Sequence, residues 1–106
     1  MNERLKKTLY RLKENFRRLY GDRLLKMILF GSHARNEANV GSDIDVLVVL
    51  RGDVDAGEEV SGTVDIVADL SLSENIVISC VFMGDQRFYK RNGPFLRNVR
   101  KEGITI

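Results

Sequence analysis

The sequence predicts an α/β (α+β) fold: one small domain in which a short sheet is packed by helices. Three observations carry that prediction. Apolar residues recur at helical spacing near the start. Three apolar segments of strand length follow, and helical or loop segments separate them. The chain has 106 residues, enough for one domain spanning residues 1–106 around one core.

Leu5, Leu9, Leu12, Phe16 and Leu19 form one apolar stripe on a helix over about residues 3–20. Gly21 is placed to end it. The stripe is only about two heptads long, so it is expected to pack on the domain's own sheet or on a partner helix. Leu24 to Phe30 reads as a buried strand. Gly31 and Ser32 break it, and Ser32 is placed to cap a short helix from His33. NEANVGS is a loop. Ile44 to Leu50 is apolar on both faces and so central in its sheet. RGDVDAGEE is a loop. Residues 57–73 fit a helical face through Val60, Val64, Val67 and Ser71, and also alternate as a strand would. A helix is preferred, because IVISCVFM at 76–83 supplies the next strand and a helix is the usual parallel crossover. MGDQRF is a turn. Residues 85–102 are helical with a break at Gly93-Pro94, and residues 104–106 can add a short edge strand.

Composition narrows the function classes. Hydrophobic residues are 43% and charged residues 30%, which fits a globular chain rather than a disordered one. No apolar run approaches the roughly 20 residues of a membrane span. The N-terminus is basic and amphipathic without the apolar block of a signal peptide, so the cytoplasm is the expected location. Cys80 is the sole cysteine. It excludes an intrachain disulfide and reads as a buried, inert thiol. Charge is segregated: nine Lys/Arg against three acids over 1–26, two against eleven over 27–86, six against one over 87–106. This suits solvated helix faces. It equally suits an acidic metal centre with cationic walls for a polyphosphate or an acidic partner. No nucleic-acid recognition motif is present, and a metal-free acidic middle would repel phosphate.

The chemistry concentrates in residues 31–45. A strand that ends in Gly-Ser and opens a helix presents backbone N–H groups and a hydroxyl to a phosphate. Arg35 lies one turn further and suits either a phosphate or a structural salt bridge. His33 reads as a surface or capping residue. Asp43 and Asp45 share one side of a strand, roughly 6–7 Å apart, and repel by ~2–3 kcal/mol at an effective dielectric of ~20. A cation would offset that cost, and carboxylates suit Mg²⁺ or Mn²⁺.

The spacing G-S-x10-D-x-D, within FGSHARNEANVGSDIDVLVVL, resembles the signature of the polymerase-β-type nucleotidyltransferase superfamily. It is most similar to the minimal nucleotidyltransferases (MNT), many of which are antitoxins paired with HEPN-domain toxins. The resemblance implies a single nucleotidyltransferase-type domain with a mixed β-sheet packed by helices. It implies that Gly31, Ser32, Arg35 and Ser42 bind nucleotide and that Asp43 and Asp45 ligate Mg²⁺ (or Mn²⁺). The implied reaction is transfer of AMP from ATP to a protein hydroxyl, a tyrosine of a cognate HEPN RNase toxin, by which the chain acts as antitoxin. The implied alternative is an antitoxin that binds without chemistry. The superfamily also uses a third carboxylate on the strand after the intervening helix, and residues 76–83 contain none. Asp65 in TVDIVADL has the look of that position, and Asp69 is a weaker candidate. The crossover to Asp65 is short, which points instead to a helix surface. A homodimer or hetero-oligomer is expected to use residues 3–20 or the last three residues.

Overall fold

A computed structural model describes residues 1–39 and 41–106. Its elements run α1 (Glu3–Tyr20), β1 (Leu24–Phe30), α2 (Gly31–Ala34), β2 (Ile44–Leu50), α3 (Ala56–Glu74), β3 (Ile78–Gly84), α4 (Asp85–Lys90), α5 (Pro94–Glu102) and β4 (Ile104–Thr105). A single 3-10 turn, Gly21–Arg23, joins α1 to β1. The fold is a small α+β domain: a mixed four-stranded sheet, ordered β3-β2-β1-β4 and packed by helices. β1 runs antiparallel to β2 and to β4, whereas β2 and β3 are parallel. The parallel pair is joined by α3, the crossover that the apolar pattern predicts.

Alternation along β2 divides the core into two layers. Val46, Val48 and Leu50 face α1 and α3, together with Leu5, Leu9, Leu12, Phe16 and Leu70. Leu47 and Val49 face α4 and α5, with Phe88, Leu96 and Val99. β2 is thus covered on both sides. Four residues of the α1 stripe, Leu5, Leu9, Leu12 and Phe16, are consumed inside the domain. At its C-terminal end the expected pattern shifts: Leu19 is 49% exposed, and Tyr20 packs instead, edge-on to Phe16. Asn2 caps α1 by accepting from Leu5 N at 2.7 Å. Asp55 does the same for α3, accepting from Glu58 N at 3.1 Å.

Three expectations change. Ser32 does not cap α2, because the helix already begins at Gly31 and has no side-chain cap. β3 starts at Ile78 rather than 76, since the chain leaves α3 through Asn75 in the left-handed conformation and needs Ile76 and Val77 to reach the sheet. The segment read as the turn MGDQRF instead ends β3 and begins α4. The NEANVGS loop includes Val40, which lies outside the described residues. Among the described residues no helix is long and apolar enough to cross a membrane.

Candidate active site

Antiparallel pairing of β1 with β2 builds the site. Phe30, the last residue of β1, pairs with Asp45 near the start of β2. The Gly31-Ser32 turn therefore meets Asp45, with Asp43 two residues before it, although ten residues separate Ser32 from Asp43. Gly31 holds φ at +74°, and a Cβ there would overlap Asp45 Oδ2. Only glycine suits that backbone, and only glycine leaves the Asp45 carboxylate room to lie against it. Asp43 is exposed, and Asp45 is half-buried at the strand end. Partial burial, then the like charge of Asp43, push the Asp45 carboxyl above its ordinary value; His33 and Arg35 oppose the shift.

The surrounding loop is held by its own hydrogen bonds. Ser42 Oγ accepts from Asn39 N at 3.0 Å, and Ser42 O lies 3.1 Å from His33 Nε2. The Ser42 side chain thus secures the approach to Asp43. Arg35 pairs with Glu37 at 3.1 Å and with Glu102 at 3.5 Å, tying α2 to the end of α5. Those contacts favour the salt-bridge reading of Arg35 over a phosphate ligand. Ser32 Oγ has no hydrogen-bond partner among the described residues, and it stands in the first turn of α2, where backbone N–H groups have no helical acceptor.

Asp65 does not join this group. Asp45 alternates with Leu47 and Val49 and so faces the α4/α5 layer, whereas Asp65 is an exposed residue of α3, on the other side of the sheet. Asp69 is likewise an exposed residue of α3. The residue beside Asp45 on β3 is Ser79. Among the described residues no group of three or more His, Cys, Asp or Glu side chains is arranged to hold a metal. Two carboxylates still suit Mg²⁺, which commonly takes one or two from protein and fills its octahedron with water and substrate phosphates.

A Gly-Ser turn set against Asp45 of the neighbouring strand, with Asp43 two residues earlier, offers the donor and acceptor groups that a phosphate and a cation require. The chain belongs to the nucleotidyltransferase domain family, whose model matches residues 9–101. It is 39% identical over 88 residues to the Methanocaldococcus jannaschii protein named "Putative protein adenylyltransferase MJ0604", covering 82% of each chain. Its fold is also that of solved toxin–antitoxin complexes. One, with AMP-PNP, matches at a TM-score of 0.64 and 17% identity, over 91% of this chain and 69% of that one. Another, a tri-AMPylated Shewanella oneidensis HEPN toxin with its MNT antitoxin, matches at 0.54 and 15%, over 92% and 70%.

Proposed function

We propose that this chain is a Mg²⁺-dependent protein adenylyltransferase. It transfers AMP from ATP to a hydroxyl, a tyrosine of a cognate HEPN toxin, and so acts as an antitoxin. The observation that carries this reading is the Asp45 carboxylate lying against the Gly31 backbone, beside the unengaged Ser32 hydroxyl. Ser32 Oγ–H and the N–H groups of the α2 first turn donate to phosphate oxygens. Asp43 and Asp45 supply the oxygen donors for the cation. When bound, the cation neutralises phosphate charge and favours in-line displacement. The acceptor oxygen bonds to the α-phosphorus as the bond to the bridging oxygen breaks. Pyrophosphate leaves, and the hydroxyl proton passes to solvent. Arg35, held by Glu37 and Glu102, positions the turn.

One observation favours a second reading. Ser79 occupies the strand position beside Asp45, so the chain offers two carboxylates where three would hold a second cation. On that reading the protein neutralises its toxin by covering it. Toxin neutralisation by Asp43→Ala and Asp45→Ala chains separates the two. Adenylyl transfer predicts loss of neutralisation with complex formation intact. Full neutralisation by both variants overturns it.

A further inference from the structure

β3 is an outer strand with an undefended edge. Among the described residues only β2 lies beside it in the sheet. Sheet edges are usually protected by a charge, a proline, a bulge or a very short strand. The opposite edge obeys that rule, because β4 has two residues. β3 has seven, ISCVFMG, without charge or proline. Val77 O accepts from Ile44 N at 2.9 Å, so Ser79, Val81 and Met83 direct their N–H and C=O groups to β2. Ile78, Cys80 and Phe82 direct theirs outward.

Both flanks of this edge are apolar. On the α3 side, Val60 and Val64 are 50% and 55% exposed and line a cleft of about 300 Å³. On the other side, Val77 and Val81 are 59% and 37% exposed. Charge then selects the occupant. On the face that carries Asp45, the N-terminal end of β3 lies beside Asp43 and Asp45. Its C-terminal end leads into α4, where Arg87, Lys90 and Arg91 line a groove of about 670 Å³; Asp53 lines it too and Asp85 opens the helix, so this end is net positive. None of these three cations is in an ion pair among the described residues. An antiparallel second copy sets the cationic end of each edge against the carboxylate end of the other.

We propose that β3 is a self-association edge, pairing antiparallel with β3 of a second copy about a two-fold axis to give one continuous sheet. The register follows from the outward groups. Pairing the whole strand sets Cys80 opposite the second copy's Phe82, and Val81 meets its own counterpart on the axis as a close, non-hydrogen-bonded pair. Ser79 then opposes the second copy's Met83, about 10 Å from Asp45 across two strand spacings. The second copy's α4 begins two residues later, on the same face as Asp45. This association stands on the edge, its flanks and its charges, and does not require adenylyl transfer.

Sedimentation equilibrium of the full chain at ~100 µM, with amide hydrogen exchange on the same sample, tests it. The expected mass is twice 12.1 kDa, with slow exchange at Ile78, Cys80 and Phe82. Val81→Lys places two like charges on the axis; it should sediment at half that mass and exchange at those amides at least ~10-fold faster. Val64→Lys serves the same purpose should Val81→Lys fail to fold. Tyr10→Lys, at a 66% exposed site on α1, should remain dimeric. Three results overturn the proposal: a monomeric native chain, a dimer that survives both edge variants, or protection of those amides only after a different protein is added.

Discussion

Gly31→Ala tests the close approach on which the site depends. The native φ is +74°, and a non-glycine residue in the left-handed region costs ~1–2 kcal/mol. The new Cβ would also overlap Asp45 Oδ2. That oxygen ends a short side chain, so the carboxylate turns aside instead of forcing the backbone apart, at a further cost of ~1 kcal/mol. The sum, ~2–3 kcal/mol, lowers the melting temperature by roughly 8–20 °C in a domain of this size. The displaced carboxylate also loses its place beside the Gly-Ser turn, so stabilisation by Mn²⁺ with a non-hydrolysable ATP analogue should vanish. The assay is thermal melting of the native chain, Gly31→Ala, Asp45→Ala and the double variant, each with and without those ligands. In the Asp45→Ala background the overlap is gone and only the backbone cost remains, so Gly31→Ala should cost ~1–2 kcal/mol there. Equal costs in the two backgrounds, or an unchanged ligand response in Gly31→Ala, would refute the reasoning.

Asp45→Asn should stabilise the ligand-free protein at neutral pH. The folded-state pKa is raised, so the ionised carboxylate opposes folding above that pKa, and the penalty disappears as pH falls through it. Repulsion from Asp43 alone is ~0.6–2.6 kcal/mol between effective dielectrics of 80 and 20; a melt in EDTA checks the sign, and a lower melting temperature contradicts it. Glu74 behaves oppositely: the hydrogen bond from Arg11 holds its carboxyl below the ordinary range. Its contribution is present above the unfolded-state pKa and lost as pH falls through the folded one, so Glu74→Gln should lower stability at pH 7 and flatten the acid limb of a melting profile. Burial pushes the Cys80 thiol up to about 12, so alkylation of the native chain at pH 8 should run at least ~10-fold slower than in denaturant.

Much of this arrangement was legible in the sequence because it depends on local pattern. β2 carries apolar residues on both faces, and a strand covered on both sides is central in its sheet. Residues 31–45 hold the site's elements at fixed spacing, and the short β1–β2 connection brings them together. Other features depend on contacts between distant segments. The face of the sheet that Asp45 occupies follows from the packing of α3 and α5. That packing separates Asp65 from the carboxylate pair, whereas apolar-Asp-apolar over a few residues fits a strand and a helix equally well. Leu19 and Tyr20 compete for the end of the α1 stripe, and the aromatic ring wins because Phe82 lies within reach. The Arg35 pairing with Glu102 spans most of the chain and leaves no local signal. The open edge of β3 emerges only from the strand order.

The most direct test of adenylyl transfer compares ATP labelled on its α-phosphate with ATP labelled on its γ-phosphate. Each is incubated with Mg²⁺, this chain and its cognate HEPN toxin. The account predicts α-label, and no γ-label, on a tyrosine of the partner, with the transfer lost in Asp45→Asn. Transfer of γ-label, or α-label transfer undiminished in Asp45→Asn, would contradict it.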